Sequence, residues 1–433
     1  MDKDLIAAAG FVVMFVLMVL RVPVGIAMGI VGVAGFALVN DLQSALRLLA
    51  VSPFSTVTDF NFSVIPMFIL MGAFASTSGM SAELFRASQA WLGHLRGGLA
   101  ISTISACAGF AAINGSSVAT AATMAQVALP ELRKAGYHNG VATGVIAAGG
   151  TLGIMIPPSV IFVLYGIMTQ TDIGKLFIAG VVPGILGALM YMATIRILCR
   201  VDPSHMPAGR RHSWRERFVT LKDIWATLVL FLFVIGGMYA GWFTVTEAAS
   251  MGAVGALVIG LARGQLKAPQ IMRALIDALR TTASIFTVVI GAFLFGYFLT
   301  ICQTTQKVID FLVHLPVGAY GILAIILVVY FILGAIMDEL AMILLTVPIV
   351  FPVMTTLGFD PVWFGVIIVM TCTLGLICPP VGMNVFVINS IATDVSLATI
   401  YRGVSPFIAS DIVRLTLLCI FPAIAVWLPR TMQ

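Results

Sequence analysis

Charge is scarce in this 433-residue sequence: Asp, Glu, Lys and Arg make up 9% of it, against roughly 25% in a soluble domain. A chain so poor in charge, and 60% hydrophobic, cannot cover a water-facing surface, so lipid is its main solvent. Catalytic and metal-binding signatures are missing as well. The six cysteines form no CxxC pair and no histidine cluster accompanies them, so they read as small buried hydrophobes. No paired catalytic acids and no nucleophile elbow stand out, which argues against an enzyme. No GxxxxGK[ST] stretch is present, which excludes direct drive by ATP through a P-loop. The first residues, MDKDLIAAAGFVV, lack the basic n-region and the cleavage site of a secretory signal, so the first apolar run reads as a retained span. The net charge of +5 sits in short linkers between apolar runs, not in a patch suited to nucleic acid.

What is present is a succession of apolar runs, from about 5–20 to about 396–428. A span needs about 20 apolar residues, so the length allows about ten. Two stretches, Met80–Leu95 and Lys267–Arg280, are amphipathic and read as helices lying along the membrane surface. The basic segments Arg200–Lys222 and Arg263–Arg280 are cytoplasmic by the positive-inside rule. With Arg21, Arg86, Arg96, Arg133 and Lys134 also inside, the segment 99–130 must enter and leave on one side, as a re-entrant hairpin. The N-terminus is then outside.

The sequence repeats at an offset of 222 residues. Pro130 matches Pro352, Thr151-Leu152-Gly153 matches Thr373-Leu374-Gly375, Pro157-Pro158 matches Pro379-Pro380, and Thr171-Asp172 matches Thr393-Asp394; 11 of the 43 positions from 130 to 172 are identical without a gap. The matches fall mainly on Gly, Pro, Thr and Asp, which apolar composition does not explain. The charge map gives the two halves opposite orientations, and inverted-topology repeats mark secondary transporters with sites at the repeat interface.

Each half carries two irregularities. One is a hairpin tip, Ala112–Ser117 in the first half and Gly334–Glu339 in the second. The other is a broken span, at Gly153–Ser159 and at Gly375–Pro380. Proline removes an N–H and clashes with the preceding turn, and carbonyls freed in this way cannot face lipid, where each costs several kcal/mol. A cation can satisfy them. A helix starting at Ser116 or Asp338 aims its positive end at the tip, which favours a carboxylate. Asn114, Ser116 and Ser117 with carbonyls near Gly153 are candidate ligands of one Na+. Asp338, with carbonyls near Gly334 and Gly375, is the candidate for a second, since hard cations take oxygen ligands. An acid at membrane depth is a functional candidate, and Asp338 is favoured over Glu339, which suits a solvated turn. Candidate substrate contacts are Asn114, Gly115, Ser116, Pro157, Ser159, Pro380 and Asn384; Ser159 and Asn384 are matched in the repeat by Val381 and Phe162. Structural kinks and interhelical hydrogen bonds are the plain alternatives. Arg414, inside an apolar run, is expected to snorkel, with binding of the substrate carboxylate as the alternative. Thr171-Asp172 and Thr393-Asp394 read as helix N-caps.

The stretches GFAAINGSSVATAATMAQVALPELRKAGY (109–137), GTLGIMIPPSVIFVLYG (150–166), IMDELAM and TLGLICPPVGMNVFV closely resemble the large, DctM-like membrane subunit of tripartite ATP-independent periplasmic (TRAP) transporters, over essentially the whole chain. The resemblance implies an all-α polytopic protein of the bacterial inner membrane, with two re-entrant hairpins, two broken helices and the elevator-type fold of the ion-transporter superfamily. It implies scaffold and arm helices at 1–98 and 201–318 and transport-domain segments at 99–200 and 319–433. It also implies Na+ as coupling ion, a separate small four-helix membrane subunit, and a periplasmic binding protein that delivers an organic anion such as a C4-dicarboxylate or a sialic or sugar acid. On this chain Asn114, Ser116, Ser117 and Gly153 match the first hairpin and break of the family, and Asp338, Thr373, Gly375 and Pro379 match the second. An ion channel, or a symporter working without a binding protein, are the alternatives.

Overall fold

A computed structural model describes residues 3–209 and 211–432. Every regular element among them is a helix. Among the described residues seven helices are long and apolar enough to cross a membrane; Trp214–Asp223 and Trp225–Tyr239, bent by 47°, make an eighth if taken together.

The 222-residue offset orders nearly the whole chain. Trp225–Tyr239 begins 222 residues after Lys3–Val19, Glu339–Thr356 after Ser117–Lys134, and Pro361–Gly375 after Asn139–Met155. Val24–Val39 and Val245–Ala262, Met80–Leu92 and Thr304–Val313, Gly98–Asn114 and Gly318–Gly334, Val160–Thr169 and Met383–Ile391, and Ile173–Val201 and Leu397–Ile420 keep the same spacing to within two residues.

One pair of segments departs from the pattern. In the first half Leu42–Thr58 and Val64–Thr77 are separate helices joined by the short turn Phe60–Ser63. The Asp59 carboxylate accepts from the Asn61 N–H at 2.9 Å, a local bond that competes with helix continuation. The matching residue is Thr281, whose hydroxyl bonds back to the Asp277 carbonyl at 2.9 Å and leaves the helix unbroken. The second half therefore has one 34-residue helix, Ala268–Ile301. This corrects the reading of Lys267–Arg280 as a separate surface helix.

The helices fall into two groups, and each mixes the halves. In the first group Val24–Val39 packs on the long helix Ala268–Ile301, while Val64–Thr77 packs on Val245–Ala262. Glycines set the approach: a Cβ on Gly32 would meet the Leu294 backbone at 2.5 Å, and one on Gly291 would strike the Gly25 carbonyl. Small residues allow such close crossings between membrane helices. In the second group Asn139–Met155 is the hub, in contact with both helices of the first hairpin, with Ile173–Val201, with Pro361–Gly375 and with Leu397–Ile420.

Met80–Leu92 lies against the first hairpin and buries seven side chains, so protein and not lipid covers its apolar face. Its Glu83 carboxylate, 4% exposed, is held by both terminal nitrogens of Arg263 at 2.6 and 2.9 Å and by Gln265 at 3.1 Å. Five of the six cysteines are buried and Cys419 is half-buried.

Candidate substrate and cation site

Two helical hairpins turn where the sequence places polar tips. Gly98–Asn114 and Ser117–Lys134 are joined through Gly115, whose φ of +66° is a conformation glycine adopts at little cost. Ser116 caps the second helix, accepting from the Ala119 N–H at 3.3 Å. Gly318–Gly334 and Glu339–Thr356 form the other hairpin, and Asp338 caps its second helix by accepting from Leu340 N–H at 3.1 Å. Each tip therefore presents the N-terminal end of a long helix.

Each tip also rests on the broken span of its own half. Helix Asn139–Met155 ends at the first break and resumes at Val160; Pro361–Gly375 ends at the second and resumes at Met383. Both Pro-Pro bonds are cis. A Cβ on Gly153 would strike the Ser116 carbonyl oxygen and lie 2.7 Å from Thr120 Oγ1; one on Gly375 would strike the Gly334 backbone. Only glycine admits either contact. The second contact is reinforced by the Val381 N–H, which donates to the Ala335 carbonyl at 3.1 Å.

Oxygen atoms converge at the first of these contacts. The Ser116 carbonyl accepts from Thr120 Oγ1 at 2.7 Å and from Asn114 Nδ2 at 3.4 Å, beside Gly153. Asn114, Ser116, Thr120 and the end of the broken helix thus form an oxygen-rich cluster of the kind an alkali cation takes. Thr120 was not singled out from the sequence. Ser117 points elsewhere: its Oγ exchanges hydrogen bonds with Asn384, at 2.8 and 3.2 Å. At the second contact the Thr373 hydroxyl donates to the Met370 carbonyl at 2.6 Å, just as Thr151 does to Ala148 at 2.6 Å.

A cavity of about 390 Å³ opens on the first tip. Asn114, Gly115 and Ser116 line it, together with Glu339 from the second hairpin and Asp277, Thr281 and Ser284 from the long helix. Four of the candidate substrate residues lie off this cavity. Pro157 is buried and Pro380 is exposed. Ser159 is fully buried and its hydroxyl has no partner. Asn384 is fully buried and spends its amide on Ser117 and on the Ala147 carbonyl at 3.2 Å. Glu339, set behind Asp338 in the sequence reading, is 7% exposed and faces the cavity, whereas Asp338 is half-buried and lines a separate recess with Ser284 and Ala341. The N-cap role turns the Asp338 carboxylate back on its own helix, and that frees the next acid to point across. Asp277 was missed because its segment was read as a surface helix.

Two other expectations fail. Arg414 does not snorkel: it is fully buried, where a bare Gly187 leaves it room. It pairs with Asp411 at 2.8 Å. Asp411 in turn accepts from Tyr191 at 2.5 Å, and the Tyr191 hydroxyl lies 3.0 Å from Thr151 Oγ1, at the head of the first break. Asp394 is not an N-cap. Ser396 caps Leu397–Ile420 instead, and Asp394 pairs with Arg133 at 2.9 Å. Asp172 does cap its helix, accepting from Lys175 N–H at 2.9 Å.

Residues 11–424 match the family described as tripartite ATP-independent periplasmic transporter, DctM component. The chain belongs to this family. Among its relatives is the C4-dicarboxylate TRAP transporter large permease protein DctM of Pseudomonas aeruginosa, 36% identical over 387 residues, which cover 89% of this chain and 90% of that one. The ectoine/5-hydroxyectoine TRAP transporter large permease protein UehC of Ruegeria pomeroyi is 30% identical, with 98% of both chains covered. The crystal structure of the YdaH transporter of Alcanivorax borkumensis, described as having an unusual topology, superposes with a TM-score of 0.63 at 13% identity and covers 89% of each chain. The DctM-family chain is thus a TRAP large permease subunit and a multi-pass inner-membrane protein of that fold.

Proposed function

We propose that this TRAP large permease subunit imports a carboxylate-bearing organic solute by coupling it to Na+. The observation that carries the reading is the seating of each hairpin tip, through glycine, on the broken span of its own half. Backbone carbonyls of the tip and of the break and a helix N-terminus then lie at one place. Broken helices in secondary transporters present carbonyls to coupling cations and N-termini to substrate carboxylates.

In this reading Na+ binds at Asn114, Ser116, Thr120 and Gly153, and a second Na+ at Asp338 and the carbonyls of the Gly334–Gly375 contact. Na+ binding neutralises the solute's charge and orders the tips. The hairpins re-enter the membrane, and the helices packed around Asn139–Met155 move as a transport domain against the group built on Ala268–Ile301. A small four-helix membrane subunit steadies that scaffold, and a periplasmic binding protein delivers the solute. The basic segment Arg200–Lys222 faces the cytoplasm.

Proteoliposomes holding the chain, its membrane partner and the cognate binding protein test this. Uptake should require an inward Na+ gradient and should vanish in Asn114→Ala and Asp338→Ala while both proteins still insert. Uptake that persists when the gradient is collapsed would refute sodium coupling. Single-channel currents would favour a channel instead.

A further inference from the structure

The cavity at the first hairpin tip is electrically lopsided. Two of its lining side chains ionise, Asp277 and Glu339, and among the described residues no Lys or Arg lines it. Glu339 is 7% exposed and its Oε2 has no hydrogen-bond partner. An acid so placed carries a charge only when a cation pairs with it. Arg273 and Arg280 lie on the same helix as Asp277, but both are exposed and neither lines the cavity. Other lining residues differ. Asn114 and the Ser116 cap sit at the N-terminal end of Ser117–Lys134, where a carboxylate is favoured. One set of lining groups suits an anion and the other a cation.

A dicarboxylate held by the tip would turn its second carboxylate toward Asp277, which is exposed, and Glu339, which is buried; like charges repel, most strongly where water is excluded, at Glu339. A cationic nitrogen at that end would be attracted instead. We propose that the cavity selects a zwitterion, a solute with one carboxylate and one cationic nitrogen group, and that Asp277 and Glu339 are its specificity-determining residues. At about 390 Å³ the cavity is near the small end of ligand pockets, in keeping with a compact solute. This inference rests on the carboxylate and sodium of the preceding section and narrows the solute that accompanies them.

The test is the affinity of the purified full chain, with its small membrane partner, for ectoine, glycine betaine and succinate, with and without Na+. At least one zwitterion should bind about tenfold or more tightly than succinate. Asp277→Asn and Glu339→Gln should each weaken that binding about tenfold and leave succinate unchanged or improved, and Asp277→Glu should restore it. Failure of both zwitterions to outbind succinate, including a lack of any binding, overturns the inference. So does zwitterion binding unaltered in Asp277→Asn, or a variant that only raises the Na+ requirement, which would assign the acids to the coupling ion. Succinate bound at least as tightly as both zwitterions, and only with Na+, would sink this inference and spare the sodium reading, whereas binding indifferent to Na+ would sink the latter.

Discussion

The two halves break their spans with the same Pro-Pro pair and shelter it differently. Pro157 and Pro158 are buried, whereas Pro379 and Pro380 are exposed. At the second break the Tyr401 hydroxyl donates to the Pro380 and Val381 carbonyls, at 3.0 and 2.6 Å. The residue matching Tyr401 in the first half is Ala179, which has no donor, and there the chain is enclosed by the first tip, with Gly115 set closely on the Pro158 carbonyl. A repeated sequence motif thus dictates that backbone groups are freed, but not how they are satisfied. That is decided by single residues around the break, which is where the halves have diverged.

Matched substitutions would break or sharpen this comparison. The largest effect is expected at the glycine seats. Gly153→Ala and Gly375→Ala each force a methyl group onto backbone, and each should reduce uptake by about 100-fold, the scale of a 1 Å misplacement at a reacting site. Tolerance of alanine at one seat alone would show that only one tip is tightly held.

The buried pair in the second half comes next. Asp411→Ala strands Arg414 and should cost about 3–5 kcal/mol in thermal unfolding. Giving the pair its first-half counterparts, Asp411→Leu with Arg414→Met, should be close to neutral, because apolar replacement of a buried ion pair often is. A double variant as unstable as the single one would mean that the charges do more than satisfy each other. Tyr401→Phe should cost about 1 kcal/mol, the usual net worth of a hydrogen bond, and should slow uptake only through the second break.

The smallest effect is on the surface. The hydrogen bond from Arg133 holds the Asp394 carboxyl below its ordinary value. Its contribution is therefore intact at neutral pH and is lost only as pH falls below about 4. Both side chains are partly exposed, so Arg133→Gln should flatten the acid side of the stability profile by an amount near the detection limit. A large change would place this contact in a buried interface.

Much of the architecture was legible because it is written in residues with few alternative uses. Gly, Pro and Asp recur at the 222-residue offset, and they marked the tips, the breaks and the repeat. Helix continuity was harder to read. Asp59 and Thr281 occupy matched positions, yet one ends a helix and the other is absorbed into it. Side-chain direction was harder still. Asn384 looked like a substrate contact because it is polar at a break, but it bonds across the repeat to Ser117, and no spacing along the chain shows that. Arg414 was expected to snorkel because its partner, Asp411, and the space made by Gly187 become visible only in three dimensions. The cavity's acidic lining escaped for the same reason: Asp277 lies on the long helix and Glu339 at the second hairpin tip, and only the fold brings them to one cavity.

The Asn384–Ser117 and Arg133–Asp394 links both cross from one half of the chain to the other. They fasten the polar end of the first hairpin to the resumed segment of the second broken span, and the open end of that hairpin to the loop beyond it. Of the two, the Asn384–Ser117 bond is the buried one. In the transport step proposed above, a displacement that carries the first tip would carry the second break along through it, and the moving body would be woven from both halves of the polypeptide.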